Sequence, residues 1–160
     1  MIIYIQIMHR ILLTFLLTIT ILTKGSGQNG FPRLDTASLV SPGIDLAQLN
    51  KPYTILIYGG VGCGWSKLLI DHLDVLDECR SKADIVLIMD QPKDSVVKYM
   101  DKVIEKYPTF SNVTLGYQLK KKADIFPQVL LFKNEKQMDH IVGVKEGMLT
   151  KIKDRILKNE

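Results

Sequence analysis

A strand-forming run, a glycine-rich turn and an amphipathic segment follow one another directly in the middle of the chain. The run Tyr53–Tyr58 is largely apolar and β-prone, as in a strand that is buried on both faces. Four glycines crowd the turn at residues 59–64, and from Ser66 to Arg80 apolar residues recur with the period of a helix. This order predicts a strand that turns tightly into one helix, with Cys63 at the junction.

The placement of Cys63 predicts a reactive thiol. At a helix N-terminus, unpaired amides and the positive end of the helix dipole favour a thiolate. Gly64 lets a second chain approach, Trp65 offers a flat apolar surface, and the hydroxyl of Ser66, as N-cap or first-turn residue, can hydrogen-bond the thiolate. The alternative is an inert core thiol, but a turn with four glycines is a poor place to bury one.

The remaining pattern predicts an α/β domain with a central mixed β-sheet flanked by helices and ending in an antiparallel hairpin and a helix. The predicted strands after Tyr53–Tyr58 are Ala83–Met89, Phe110–Leu115, Gln128–Phe132 and Met138–Val144, and the predicted helices besides Ser66–Arg80 are Asp45–Asn50, Asp94–Tyr107, Tyr117–Asp124 and Glu146–Lys158. A polar turn at Lys133–Lys136 joins the last two strands.

The N-terminus is typical of an export signal. Arg10 precedes the uncharged run Ile11–Leu22, and Gly25 and Gly27 are spaced like a cleavage site. The run is shorter than the ~20 residues of a membrane-spanning helix. We therefore predict a signal peptide at residues 1–27, a linker at 28–43 with a short strand near Ser38–Val40, and one domain at 44–160. The alternatives are an uncleaved anchor, which still places the domain outside the cytosol, and a buried cytosolic helix, which the missing amphipathic stripe disfavours.

The two cysteines are not expected to form a disulfide. If Ser66–Arg80 is one helix, Cys63 and Cys79 are about 24 Å apart, far beyond the ~7 Å limit for bridged Cα atoms. Cys79 lies on the apolar side of that helix and is predicted to be a buried structural thiol.

Charge and histidine content argue against several classes of ligand. The formal net charge of +4 does not indicate nucleic-acid binding, and the lysine clusters are interpreted as solvent-exposed faces of helices. His72 and His140 lack the spacing of metal ligands, so neither a metal site nor a cofactor is predicted. Asp90 follows a central strand and is expected to cap a loop.

With these residues in place, the chain from Asp45 to Leu157 resembles the thioredoxin-like superfamily, most closely the exported TlpA-type thiol-disulfide proteins. The matching pieces are the strand Tyr53–Tyr58, the motif Cys63–Gly64–Trp65–Ser66 with Lys67, the stretch Ile125–Phe132, and Val142 with Gly143. The resemblance implies a thioredoxin-like fold, a cis Pro127 against the reactive sulfur, and partner binding by Phe126 and Pro127. From the residues alone, Pro127 is read as a strand-initiating proline.

Two departures from that family limit the expected chemistry. Ser66 stands where a second, resolving cysteine is usual, and Ile57 stands where thioredoxins often bury a carboxylate. We therefore expect a periplasmic or secreted, monomeric thiol-disulfide exchange protein. Its partners are protein thiols and disulfides or a small thiol such as glutathione, and its turnover needs an external thiol. The alternative is a non-catalytic thioredoxin-fold binding module. The CxxS motif also resembles monothiol glutaredoxins, which share an iron–sulfur cluster, but export disfavours that function.

Overall fold

The computed structural model describes residues 34, 36–111 and 125–159, and their centre is a five-stranded mixed sheet. The strands are β1 (Tyr53–Gly59), β2 (Ala83–Met89), β3 (Thr109–Ser111), β4 (Gln128–Lys133) and β5 (Lys136–Val142). The helices are α1 (Gly64–Ile70), α2 (Lys93–Lys106) and α3 (Met148–Leu157), with 3₁₀ helices at Leu46–Gln48 and Leu73–Cys79.

The sheet has the order β3-β2-β1-β4-β5, which places β1 at its centre. β1 is parallel to β2, β2 is parallel to β3, and β4 is antiparallel to both β1 and β5. Because β1 and β2 have neighbours on both sides and apolar residues on both faces, they are buried almost throughout. The carboxyl end of β1 and the start of β4 meet at one edge, where Tyr58 pairs with Gln128.

Alternate residues of the strands point into two apolar clusters. On one face, Ile57 and its neighbours pack against α1, α2, α3 and the second 3₁₀ helix. On the other face, residues such as Leu56 and Tyr58 pack against Leu39, the first 3₁₀ helix and Phe126. Residues before the first strand thus form part of the packed domain.

The predicted short strand at Ser38–Val40 appears as a single antiparallel bridge between Leu39 and Phe110. Val40 donates its N–H to the carbonyl of Thr109 at 2.8 Å, and Ser111 donates to Ser38 at 2.8 Å. These contacts cover the outer edge of β3.

The prediction of one helix from Ser66 to Arg80 is wrong, because the backbone changes at His72. Its φ and ψ are −114° and 15°, and its N–H bonds the carbonyl of Leu69 at 3.2 Å, a 3₁₀-type bond. Nδ1 of His72 donates a hydrogen bond to the carbonyl of Leu68 at 2.9 Å. In an α-helix, the backbone N–H of His72 would bond this carbonyl instead. The side chain therefore replaces the backbone donor and ends α1.

The hairpin also differs in its bounds from the prediction. Its turn is the residue pair Asn134 and Glu135, with φ of 49° and 63°, and β5 begins at Lys136 rather than at Met138. Two residues with positive φ form the tight turn that suits the twist of antiparallel strands. Of the predicted strand Phe110–Leu115, the structure describes the first two residues, which belong to β3, and the rest lies outside the described residues. The predicted helix Tyr117–Asp124 also lies outside them.

The predicted signal segment at residues 1–27 also lies outside the described residues. Among the residues that are described, no helix has the length and apolar character to cross a membrane.

Candidate functional site

A short loop between β1 and α1 presents Cys63 at the start of the helix. The N–H of Cys63 donates to the carbonyl of Gly60 at 3.2 Å, and the N–H of Lys67 donates to the carbonyl of Cys63 at 3.0 Å. Cys63 is thus the N-cap residue of α1, with extended φ and ψ of −77° and 114°. Gly62 has φ of 81°, which glycine adopts without the steric cost of a side chain.

The environment of Cys63 favours its thiolate. Cys63 is free and half-buried, so a reagent in solution can reach its sulfur. The hydroxyl of Ser66 is the main cause that lowers the pKa of Cys63, and the backbone N–H groups of Ser66 and Trp65 add to it. Burial acts in the opposite direction. Donors that point at the sulfur stabilise its negative charge more than they stabilise the neutral thiol.

Ser66 is a buried residue in the first turn of α1 and not its N-cap. Its Oγ accepts a hydrogen bond from the N–H of Gly60 at 3.1 Å. A serine hydroxyl has one proton to donate, and with Gly60 as a donor to the oxygen this proton remains for the sulfur of Cys63. Ser66 therefore connects the end of β1, the helix and the thiol.

The surface beside Cys63 is apolar and open. The side chain of Trp65 is 63% exposed, and that of Leu68, one turn further along α1, is 43% exposed. A Cβ added to Gly64 would meet no atom within 4 Å. Gly64 and Trp65 therefore form an open surface beside the Cys63 thiol.

Phe126, which directly precedes Pro127, lies against the loop that carries Cys63. The ring of Phe126 packs so closely on Gly60 that a Cβ there would be 3.1 Å from Cδ2 of the ring. The same ring lies 5.1 Å from the ring of Tyr58, centroid to centroid. The carbonyl of Pro127 accepts the N–H of Gly143 at 2.8 Å, and the Phe126–Pro127 peptide bond is cis.

Two polar contacts from the residues after β2 hold the end of β1 and this loop. One comes from Gln91, which the sequence analysis did not single out, and the other from Asp90, which was expected to cap a loop. Oε1 of Gln91 accepts the N–H of Val61 at 2.6 Å. Asp90 hydrogen-bonds the hydroxyl of Tyr58, and burial together with this carboxylate raises the pKa of Tyr58. Both Asp90 and Gln91 follow directly after β2, and polar residues at the carboxyl ends of adjacent parallel strands are the signal that points to them.

Cys79 has a different environment. It is fully buried at the end of the second 3₁₀ helix, and its Sγ donates to the carbonyl of Leu76 at 3.1 Å. Burial is the main cause that raises its pKa. Cys63 and Cys79 are both free, so no disulfide joins them.

The histidines of the described residues are engaged in local contacts. Nδ1 of His72 donates to Leu68, and Nε2 of His140 lies 2.8 Å from Oε1 of Gln128. Across residues 36–111 and 125–159, no three His, Cys, Asp or Glu side chains gather as a metal site would require.

Comparison with known proteins finds similarity at the level of structure. No protein-family model matches the chain, and no curated protein matches it by sequence. A solution structure of a thioredoxin-like protein in its oxidised form covers 84% of this chain and 98% of its own, with 13% identity and a TM-score of 0.63. A thiol-disulfide isomerase from Corynebacterium glutamicum covers 81% of this chain and 97% of its own, with 13% identity and a TM-score of 0.60.

A secreted Mycobacterium tuberculosis disulfide oxidoreductase homologous to E. coli DsbE covers 81% of this chain and 96% of its own, with 11% identity and a TM-score of 0.57. The chain has a thioredoxin-like fold. The predicted fold class, a mixed sheet flanked by helices, is confirmed. At these identities the likeness concerns the fold alone, so the roles of Cys63, Ser66, Gly64, Trp65, Phe126 and Pro127 remain predictions.

Proposed function

We propose that this chain is an exported thioredoxin-fold thiol-disulfide exchange protein in which Cys63 is the reactive cysteine and an external thiol completes turnover. The observation that carries the proposal is the combination at Cys63 of access from solvent and a lowered pKa, with Ser66 in the place of a second thiol. The similar structures include a disulfide oxidoreductase and a thiol-disulfide isomerase, which agrees with this class of chemistry.

The first step is attack of the Cys63 thiolate on a disulfide of the partner. The partner's S–S bond breaks, a bond forms between Cys63 and one partner sulfur, and the other partner sulfur leaves with the electron pair and takes a proton from water. The sulfur of Cys63 is oxidised and the leaving sulfur is reduced. The Ser66 hydroxyl lowers the pKa of Cys63 and so favours the thiolate that attacks.

The second step needs a thiol from outside the chain. A motif with two cysteines would release the partner by attack of the second thiol, but the hydroxyl of Ser66 cannot form a disulfide. Cys79 is buried and is not available for this attack. A partner protein's thiol or a small thiol such as glutathione therefore attacks the mixed disulfide and regenerates Cys63.

The residues around the sulfur would hold the partner during this exchange. Gly64 leaves room for a second backbone, and Trp65 supplies apolar surface. Phe126, which packs on Gly60, would form the facing side together with the buried Pro127 that follows it. The predicted signal at residues 1–27 supports action in the periplasm or outside the cell, either as a secreted protein or as one held by an uncleaved N-terminal segment. We propose that the protein acts as a monomer.

The decisive assay is reduction of insulin disulfides in the presence of glutathione. We expect the wild-type protein to accelerate the reaction over glutathione alone, the Cys63→Ala variant to lose this acceleration, and the Cys79→Ala variant to keep it. Acceleration that persists in Cys63→Ala would refute the assignment.

A second candidate is a thioredoxin-fold binding module without redox turnover. Two observations favour it: Ile57, at the position of the usual buried carboxylate, is 1% exposed among apolar neighbours, and Ser66 replaces the second cysteine of the motif. No acceleration by the wild-type protein, together with partner binding that survives Cys63→Ala, would select this candidate.

A further inference from the structure

Two consecutive backbone N–H groups in the loop before α1 donate to two different side chains. The N–H of Gly60 donates to Oγ of Ser66 at 3.1 Å, and the N–H of Val61 donates to Oε1 of Gln91 at 2.6 Å. The N–H of Cys63 in turn donates to the carbonyl of Gly60 at 3.2 Å. The backbone of this loop therefore decides where Cys63 lies relative to Ser66.

The loop has little conformational restriction of its own. Four of the six residues 59–64 are glycines, and glycine populates left-handed as well as right-handed backbone conformations. At Gly62 and Gly64 an added Cβ would meet no atom within 4 Å, so neighbouring atoms do not restrain these two positions by packing. Contacts from outside the loop must therefore hold it in one conformation.

Contacts from both sides of β1 supply that restraint. Phe126, which comes shortly before β4, packs its ring on Gly60. Gln91 follows β2, which lies on the other side of β1 in the sheet. Packing of a ring does not satisfy a backbone donor, whereas the side-chain oxygen of Gln91 fixes the direction of the Val61 N–H.

Gln91 is itself restrained from both ends. The N–H of Asp90 donates to the carbonyl of Gly59 at 3.0 Å, which continues the pairing of β1 with β2 beyond the last residue of β2. Pro92 follows Gln91 and is the N-cap of α2, and a proline restricts the backbone of the residue before it. Gln91 is therefore suited to hold a neighbouring loop in place.

We propose that Gln91 is a positioning residue: its hold on the N–H of Val61 keeps the thiol of Cys63 at the start of α1. Without this bond, the glycine-rich loop gains conformers in which the sulfur lies away from the Ser66 hydroxyl, and these conformers favour the neutral thiol. Gln91 acts through the loop backbone rather than on the sulfur. This inference rests on the proposed exchange function and adds a residue that supports it.

The test measures thiol-disulfide exchange between Cys63 and the symmetric disulfide of thionitrobenzoate as a function of pH. Attack by the Cys63 thiolate breaks the S–S bond of the reagent and forms a disulfide between Cys63 and one aryl sulfur. The other aryl sulfur leaves with the electron pair as a coloured thiolate. A second readout is hydrogen exchange at the N–H of Val61, measured by NMR on the native protein.

In Gln91→Met, which removes the acceptor oxygen and keeps the side-chain length, hydrogen exchange at Val61 should accelerate. The rate constant for Cys63 at neutral pH should fall about two- to tenfold, the span that one hydrogen bond between neutral groups corresponds to. Because the cause is a raised apparent pKa of Cys63, the rate should recover at high pH.

Two further variants control this result. Gln91→Glu keeps an acceptor oxygen, so in about 1 M salt, where the Debye length is ~3 Å, both readouts should stay within about twofold of the wild type. Gln137→Met is the matched control at an exposed glutamine of β5 and should change neither readout.

A pH profile of Gln91→Met identical to that of the wild type would overturn the positioning role and leave the exchange function standing. Protection of the Val61 N–H that survives Gln91→Met would also overturn it, as would a Gln91→Glu variant that is as slow as Gln91→Met in the high salt. A wild-type protein whose Cys63 does not react with the reagent would refute the exchange function itself, and the positioning role with it.

Discussion

The two cysteines of this chain stand in opposite environments although they belong to consecutive segments. Cys63 is half-buried at the start of α1, and donors from Ser66 and Trp65 lower its pKa. Cys79 is fully buried at the end of the 3₁₀ helix, and burial raises its pKa. Position relative to a helix start and to solvent, rather than residue type, therefore decides which thiol is suited to exchange.

The largest expected effect is on thiol reactivity. Because Cys79 is buried and its pKa is raised, Cys63→Ala should remove the rapid alkylation of the native protein by iodoacetamide, and Cys79→Ala should leave it intact. Mass spectrometry of the labelled protein at neutral pH measures both. Rapid labelling of Cys79 in the folded Cys63→Ala variant would contradict the assignment of Cys79 as the unreactive thiol.

The second change supplies Cys63 with a nearby resolving thiol, which the buried Cys79 does not provide. Ser66→Cys places a thiol where the hydroxyl already contacts the sulfur, so the variant should form a disulfide within the motif and reduce insulin several-fold faster with dithiothreitol. The double variant Ser66→Cys with Cys63→Ala is the control and should show no gain. If Ser66→Cys keeps all its thiols free after oxidation, residue 66 is not positioned to resolve a mixed disulfide.

A third change makes the environment of Cys63 more like that of Cys79. Ser66→Ala removes the hydroxyl that chiefly lowers the pKa of Cys63, so this pKa should rise and alkylation at pH 6–7 should slow. The lost acceptor for the N–H of Gly60 should also lower the free energy of unfolding by about 1–3 kcal/mol.

The readout for Ser66→Ala is the pH profile of alkylation, with Ser95→Ala, at an exposed serine of α2, as the matched control. A pH profile of Ser66→Ala identical to that of the control would contradict the claim that the Ser66 hydroxyl lowers the pKa of Cys63.

The smallest expected effect is on stability. Here the substitution of Cys79 should have the larger effect, whereas for reactivity the substitution of Cys63 has the larger effect. Cys79→Ala removes a fully buried sulfur and should lower the free energy of unfolding by about 1–2 kcal/mol. Cys63→Ala alters a half-buried residue and should change it by less than about 0.5 kcal/mol. Urea unfolding of both variants measures this, and a larger loss in Cys63→Ala would contradict the assignment of structural and reactive thiols.

The sequence predicted what depends on local pattern. Apolar runs located β1 and β2, and the run Ala83–Met89 matches its strand end to end. The helical period from Ser66 also identified the buried residues, because Leu69, Leu73 and Leu76 are all in the core. The backbone at His72 escaped prediction because both α and 3₁₀ segments bury these leucines, and a side-chain bond to Leu68 decides between them.

In the candidate site, too, contacts between residues close in sequence could be predicted and long-range contacts could not. Cys63 and Ser66 are close in the sequence, so their contact follows from one helical turn. The bond between Val61 and Gln91 and the packing of Phe126 on Gly60 join residues 30 or more positions apart. Such contacts depend on the order of β2, β1 and β4 in the sheet, which a local pattern does not contain.

The measurement that tests the account most directly is the pH dependence of alkylation at Cys63 in the native protein, with the Cys63→Ala variant as the background. The hydrogen bonds from Ser66 and the helix start predict an apparent pKa below the ~8.5 of a free cysteine, so that alkylation slows at a lower pH than it does for a free cysteine. An apparent pKa at or above ~8.5 would contradict an activated thiol at Cys63.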